Sequence, residues 1–216
     1  MRKTLTVEVP TNWKDVPLKK YLALMGDLEN YKDDEEAQTA LMLLHLCNIQ
    51  PEYLKGLSKA SYDLLRAKLS GFIQPDDIPL QRIITINGRE YGFEPNLSKM
   101  SYGAYADITQ YESITIDKNW AKTMSILYRP VTKKSGEFYN IEPYTGEENP
   151  DIFLDVDMEV HFGCLFFFVR LSMDLLSVIP KYLKDTELHP SIKLILERSG
   201  ELTQHLWNSQ ITTYSK

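Results

Sequence analysis

The sequence predicts a mainly α or α+β protein, with two tandem units of strand, helix, helix and helix, a small β-hairpin and a C-terminal helical tail. Apolar residues recur at helical spacing through most of the 216 residues, an Asn-Gly pair separates two alternating runs, and parts of the first half recur in the second. We expect a first unit at 1–78, a second at 79–186 with an inserted excursion near 130–157, and the tail at 187–216.

The first unit is predicted to begin with a strand and continue as helices. Residues 5–9 alternate in polarity as a strand does, and Thr11 or Asn12 can cap the helix that follows. The acidic run at 33–36 favours a second helix start, because carboxylates there interact well with the helix dipole. Pro51 opens a short helix. A further helix from Ser58 to Leu69 is expected to turn inward Ala60, Leu64, Leu65 and Leu69.

A hairpin is predicted to open the second unit. Alternating runs at 81–86 and 89–93 flank Asn87-Gly88, which supplies the two positive φ angles of a type I′ turn. Asp117 is expected to cap a helix that reaches Leu127, after a helix that carries Met100, Tyr102, Tyr105 and Ile108.

The last part of the chain is also predicted to be helical. A long apolar helix from Val156 to Leu183 should be interrupted or ended at Pro180, since proline removes a helix hydrogen bond. One or two amphipathic helices are expected from Ser191 to Thr213, with a break near Gly200.

Matching positions in the two halves support an internal repeat. The stretch Ser61–Leu65 differs from Ser172–Leu176 only at its second residue. The extra residues of the second copy then fall between Arg129 and Asp157, where prolines, glycines and tyrosines are typical of an exposed excursion that can contain a hairpin. These extra residues number about 27, because Ser61–Leu65 matches the second copy at a shift of 111 residues and earlier positions match at a shift of 84. The shift of 84 relates Tyr21, Asp33, Ala37, Thr39 and Leu43 to Tyr105, Asp117, Ala121, Thr123 and Leu127.

The charge and apolar patterns disfavour several classes of protein. The net charge is −6, whereas proteins that hold nucleic acid unaided usually carry a positive surplus, so we expect no specific nucleic-acid binding. The most apolar stretch, residues 162–169, is shorter than the roughly 20 residues of a membrane span, so we expect no membrane segment. Cys47 and Cys164 suit a reducing compartment as small core residues.

Candidate chemistry in the sequence is sparse, and we expect no catalytic residue, cofactor or metal. His45 with Cys47 and His161 with Cys164 could together form a zinc site. His45 and Cys47, at positions i and i+2 of a helix, point to different faces and so disfavour it, although His161 and Cys164 at i and i+3 could chelate one ion. The Gly-rich phosphate-binding motifs and the Gly-x-Ser-x-Gly nucleophile motif are missing. The acidic pair Asp155 and Asp157 is the hydrolase alternative, although such pairs usually lie in solvated loops or at helix starts.

The 13 tyrosines suggest contacts with other proteins, since tyrosine is favoured at interfaces. We predict partner contacts on the excursion and on the C-terminal tail, at Phe138, Tyr139, Tyr144, Trp207 and Tyr214. Placement at the edge of the protein's own core is the expectation for Tyr21, Tyr62, Tyr102, Tyr105 and Tyr128, and an equal alternative for Trp207.

Three stretches carry a resemblance to a known group of proteins. Residues 86–95 (Ile-Asn-Gly-Arg-Glu-Tyr-Gly-Phe-Glu-Pro), 102–107 (Tyr-Gly-Ala-Tyr-Ala-Asp) and 119–130 (Asn-Trp-Ala-Lys-Thr-Met-Ser-Ile-Leu-Tyr-Arg-Pro) resemble small proteins from the structural gene modules of tailed bacteriophages, particularly crAss-like phages. The resemblance spans the central half of the chain and contains no catalytic motif. It implies a protein of the virion or of its assembly, made in the host cytoplasm.

The resemblance leaves two functions to weigh. One is a non-enzymatic virion protein, an internal or tail-stored cargo that leaves with the genome and contacts portal, tail or ring components, or further copies of itself. The alternative is a tail or head assembly chaperone that binds a structural protein and is missing from the mature particle. A small hydrolase or regulatory enzyme is disfavoured by the missing motifs.

Overall fold

The fold is α+β, mostly helical with a small antiparallel sheet. The computed structural model describes residues 7–71, 78–110 and 115–185, and side chains up to residue 175. The chain divides into two compact units, Met1–Cys164 and Leu165–Lys216. The compact unit Met1–Cys164 contains helices from both predicted repeat copies. The predicted tail at 187–216 lies outside the described residues.

Helices fill the first third of the chain. A 3₁₀ turn at Trp13–Asp15, capped by the Asn12 side chain, precedes helix α1. The acidic start predicted for the second helix is confirmed, because Asp34 caps it by accepting from the Ala37 N–H at 2.9 Å. Ser58 likewise caps the fourth helix. The ranges are α1 (Leu18–Leu28), α2 (Glu35–Cys47), α3 (Pro51–Leu54) and α4 (Lys59–Ser70).

Two predictions for this region are wrong. Residues 7–9 form no strand, and no strand of the described part pairs with them. Leu64 on α4 is 59% exposed and Ala60 is also exposed, while Leu69 is buried. The apolar spacing along α4 therefore does not mark its buried face, because burial depends on how much of α4 a neighbouring element covers.

The sheet is a four-stranded antiparallel meander with the order β1-β2-β3-β4. The predicted Asn-Gly turn is confirmed, with φ of 51° at Asn87 and 80° at Gly88. Two short helices, α5 (Tyr102–Thr109) and α6 (Trp120–Leu127), lie between β2 and β3 in sequence. The strands are β1 (Ile83–Ile86), β2 (Arg89–Phe93), β3 (Tyr128–Ser135) and β4 (Phe138–Ile141).

A buried ion pair joins β3 to the residue that follows β2. Arg129 on β3 donates to the Glu94 carboxylate just beyond β2, and the side chains are only 6% and 10% exposed. The Arg129 Nε is also buried and has no hydrogen-bond partner among the described residues. Removing either partner would leave the other charge buried and unpaired, which lowers the stability of the fold.

The last described helix, α7 (Met158–Asp185), corrects a further prediction. It continues through Pro180, so proline neither interrupts nor ends it, and it begins just after the predicted Val156. Its start is fixed by two backbone hydrogen bonds to the N-terminal segment: Leu18 N–H donates to the Val156 carbonyl at 2.9 Å, and Met158 N–H donates to that of Val16 at 2.8 Å.

Three aromatic side chains pack together in the core of the compact unit Met1–Cys164, near the start of α7. Phe162 on α7 lies edge-on to Trp13, with ring centroids 4.9 Å apart, and to Tyr21 on α1, at 5.6 Å. All three side chains are buried. Edge-to-face pairs of this kind add to the stabilisation from burial alone, so the cluster joins segments from both ends of this unit.

Candidate functional site

The β3–β4 hairpin forms the first part of the predicted excursion, which also contains a 3₁₀ helix at Pro150–Asp155. Its strands pair Lys134 with Tyr139 and Ser135 with Phe138. Gly136 has a φ of 61° at the first position of the two-residue loop, which is the glycine position of a type II′ turn. This tight loop places Phe138 next to the tip of the hairpin.

Phe138 and Tyr139 have opposite environments although they are adjacent. Phe138 is 85% exposed, whereas Tyr139 is 8% exposed. Successive residues of a strand point to opposite faces, so the buried tyrosine fixes the orientation of the exposed phenylalanine. The expected exposure of Phe138 is confirmed; its contact with a partner stays a prediction.

Tyr139 is part of the protein's own sheet. Its hydroxyl donates to the Phe93 carbonyl at 2.7 Å, and its ring lies over Gly92 of β2. Burial raises the pKa of the Tyr139 hydroxyl. The expectation of an exposed Tyr139 is therefore wrong. The Tyr139 ring occupies the space that a side chain at position 92 on β2 would fill.

Tyr144 connects the segment after β4 to α5. Its hydroxyl donates to the Asp107 carboxylate, and its ring is in ordinary contact range of the Gly103 position, at 3.6 Å. The side chain is half-buried, so this residue of the predicted partner site is largely engaged within the fold.

Two tyrosines on α5 form an exposed aromatic face that the sequence did not reveal. Tyr102 is 83% exposed and Tyr105 is 58% exposed, although we expected both at the core edge. They are neighbours on one helix face at i, i+3 spacing. By contrast, Tyr128 is only 1% exposed and donates to the Gln81 carbonyl at 2.6 Å, so it lies inside the core and not at the expected core edge.

Trp207 and Tyr214, the other predicted partner residues, lie outside the described residues. Of the predicted partner residues that the structure describes, Phe138 is exposed, Tyr139 is buried and Tyr144 is half-buried. The candidate site is therefore the hairpin tip at Phe138.

Ion pairs attach the hairpin to the strand beside it. Lys134 on β3 reaches Glu90 on β2 at 2.8 Å, and Arg89 on β2 reaches Glu142 just beyond β4 at 2.6 Å. The Arg89 guanidinium also lies 5.9 Å from the Tyr91 ring centroid. Each of these exposed pairs contributes little energy. Together with the buried Tyr139, they connect the hairpin to β2 at three places.

The histidines and cysteines weighed as zinc ligands have other surroundings. His45 pairs with Asp27 at 2.7 Å, and His161 accepts from the Trp120 indole. The prediction that Cys47 and Cys164 are core residues is confirmed, and burial raises the pKa of both thiols. Within residues 7–71, 78–110 and 115–185, no group of three or more potential ligands could hold a metal ion.

The carboxylates weighed as a hydrolase pair also have separate contacts. Asp155 is exposed and forms an ion pair with Lys19, while Asp157 accepts from the Val160 N–H at 3.3 Å in the first turn of α7. Burial raises the pKa of Asp157. Their contacts are those of a surface ion pair and a helix start.

None of the helices in the described part is long and apolar enough to cross a membrane.

Comparisons with known proteins leave the family of the chain open. No protein-family model matches the chain, and neither a curated protein nor a solved structure matches it.

Proposed function

We propose that this chain is a non-enzymatic virion-associated protein of a tailed bacteriophage, an internal or tail-stored cargo released with the genome. It acts through contacts with portal, tail or ring components. The resemblance of residues 86–95, 102–107 and 119–130 to crAss-like phage proteins supports the phage assignment. The hairpin supports action through protein contacts.

The exposed Phe138 on a well-attached hairpin carries the argument for a protein partner. Fully burying a phenylalanine side chain contributes about 1.5–3 kcal/mol, and binding energy concentrates in a few such anchors. Because Tyr139 and the ion pairs hold the hairpin, little conformational entropy remains to be lost when Phe138 enters a partner pocket.

The negative charge is compatible with a position beside packaged DNA. At a net charge of −6, the chain is repelled by phosphate and can lie near DNA without adhering to it. The same charge favours contact with a basic protein surface, such as that of a portal or tail lumen.

We also propose that the helices of the compact unit Met1–Cys164 derive from two tandem repeats. Two of the five pairs of equivalent positions are buried in both copies, which supports this origin, whereas Tyr21 is buried and its equivalent Tyr105 is 58% exposed. Thr39 and Thr123 are 4% and 8% exposed, and Leu43 and Leu127 are both fully buried. The repeat boundaries at 1–78 and 79–186 remain part of the proposal.

Quantifying the chain in purified particles, before and after genome release, tests the proposed function. A cargo protein is present in full particles and depleted from emptied ones. A chain found in infected cells bound to a structural protein, but missing from particles, would favour the assembly chaperone. Absence from both particles and such complexes would refute a role in the virion or its assembly.

The docking role of Phe138 has a matched test in the same particles. Phe138→Ala should lower incorporation of the chain at least about tenfold, the effect of losing about 1.4 kcal/mol of binding energy. Tyr53→Ala is the control, because Tyr53 is a 57% exposed aromatic on α3. Equal incorporation of Phe138→Ala and Tyr53→Ala would exclude the hairpin tip as the docking element.

A further inference from the structure

A buried hydrogen bond connects the first residue of α6 to the first turn of α7. The Trp120 indole Nε1 donates to His161 Nδ1 at 3.1 Å, and the two side chains are 1% and 0% exposed. An indole nitrogen can only donate, so Nδ1 must accept and the neutral imidazole carries its hydrogen on Nε2. The contact therefore requires one tautomer of an uncharged histidine.

The other side of the same imidazole lacks a partner. His161 Nε2 is buried and forms no hydrogen bond with any described residue. The carbonyl groups of Phe153 and Val156 favour the protonated ring, but burial outweighs them and lowers the pKa of His161 to about 4. Burial therefore makes the neutral imidazole the stable form in this site, in spite of these two carbonyl groups.

The charged groups around this site are engaged elsewhere. Lys14 pairs with Glu159 at 3.4 Å, Lys19 pairs with Asp155, and Asp157 accepts from a backbone N–H. Among the described residues, none of these charges contributes to the pKa shift of His161. The titratable groups near the first turns of α7 and on the elements packed there include Lys14, Asp15, Lys19, Lys20, Tyr21, Lys122, Tyr128, Asp151, Asp155, Asp157, Glu159 and Cys164.

We propose that the Trp120–His161 pair is an acid-sensitive latch between α6 and the start of α7, closed while the imidazole is neutral and opened when it takes up a proton. A proton on Nδ1 converts the acceptor into a donor that faces the indole donor. It also places a positive charge in a buried site without a counter-charge. Both effects separate Trp120 from His161.

The direction of the pH effect follows from the two protonation equilibria. In the opened form, as in the unfolded chain, the His161 imidazole is in contact with water and has the ordinary histidine pKa of 6.5, whereas in the closed form its pKa is about 4. Between these values the opened form binds a proton that the closed form does not, so the closed form loses stability as the pH falls below 6.5. The equilibrium constant for opening rises about 30-fold between pH 7.5 and pH 5, and this contribution levels off below about pH 4.

Nitrogen NMR of the full chain, labelled at histidine and at the tryptophan indole, tests the latch directly. At pH 7.5, His161 Nδ1 should have the shift of an unprotonated, hydrogen-bonded nitrogen. The closed form should keep that shift at pH 5.5, and the Trp120 indole resonance should lose intensity together with it as the pH falls further. Titration of His161 near pH 6.5, or an indole signal that does not respond, would overturn the proposal.

A variant pair gives a second, independent measurement. His161→Gln keeps an acceptor for the indole but cannot titrate, so its ratio of unfolding constants between pH 5 and pH 7.5 should be about 30-fold smaller than that of the wild type. Ser125→Ala, which removes a buried but non-titratable hydroxyl from α6, is the control and should keep the wild-type ratio. An unchanged ratio in His161→Gln would also overturn the proposal, and if that variant does not fold, the wild-type NMR titration decides alone.

Discussion

Gly92 is the position where the hairpin depends most directly on the absence of a side chain. A Cβ atom placed there would lie 2.5 Å from Cε2 and 2.7 Å from Cδ2 of Tyr139, and 2.9 Å from Cγ2 of Ile141. Carbon atoms in contact prefer separations of about 3.5–4.0 Å, so Gly92→Ala creates an overlap of roughly 1 Å. The Tyr139 ring must then move, and its 2.7 Å hydrogen bond to the Phe93 carbonyl weakens.

The expected loss of stability combines two opposing effects. Overpacking a core typically costs about 1–3 kcal/mol. Replacing glycine by alanine inside a strand recovers about 0.5–1 kcal/mol of backbone entropy. The net loss is about 1–2 kcal/mol, which corresponds to a decrease in Tm of roughly 2–8 °C for a chain of this size.

Thermal and denaturant unfolding of four proteins would measure this coupling: the wild type, Gly92→Ala, Tyr139→Ala and the double variant. Once Tyr139 is removed, Gly92→Ala should cost less, because the ring that it strikes has gone and only Ile141 remains close. Gly26→Ala is the control, since a Cβ at this α1 position meets nothing within 4 Å and should stabilise the helix by about 0.5–1 kcal/mol. Equal costs of Gly92→Ala with and without Tyr139 would refute the close-approach explanation.

Two further substitutions test contacts within the first unit. Gly163→Ala would place a Cβ 2.6 Å from the Pro79 carbonyl oxygen. Because a backbone group cannot rotate away as a side chain can, we expect the free energy of unfolding in denaturant to fall by about 1–3 kcal/mol. Wild-type stability of this variant would show that α7 and the segment at Pro79 move apart without cost. Arg129→Met should cost about 3–5 kcal/mol, because it leaves the Glu94 carboxylate buried without its partner. The double variant Arg129→Met with Glu94→Leu should recover most of that loss, and no recovery would contradict an electrostatic origin.

Local features of this fold follow closely from the sequence. Asn87-Gly88 adopts the two positive φ angles that its residue types favour, and Asp34 and Ser58 cap the helices that begin after them. Each feature depends on the conformational preference of one or two residues and on hydrogen bonds to residues nearby. Interactions of this range are present in the sequence itself.

Features that depend on distant partners could not be read in the same way. Residues 7–9 alternate as a strand does, but in the described part no strand pairs with them, and Leu64 is 59% exposed although it has the spacing of a buried helix position. The helix α7 continues through Pro180, although proline disfavours a helix interior. Local preference predicts what a segment can form, whereas the surrounding packing selects what it does form.

The candidate site shows the same division. The sequence determined that a Gly-containing excursion with aromatic residues follows Arg129, and it predicted a partner contact for Phe138 and Tyr139 alike. Only the tertiary structure separated the two, because the space over Gly92 accepts one ring and strand alternation then turns the other toward solvent. His161 was likewise visible as a histidine near apolar residues, but its required tautomer depends on Trp120, which reaches it only when α6 and α7 pack together.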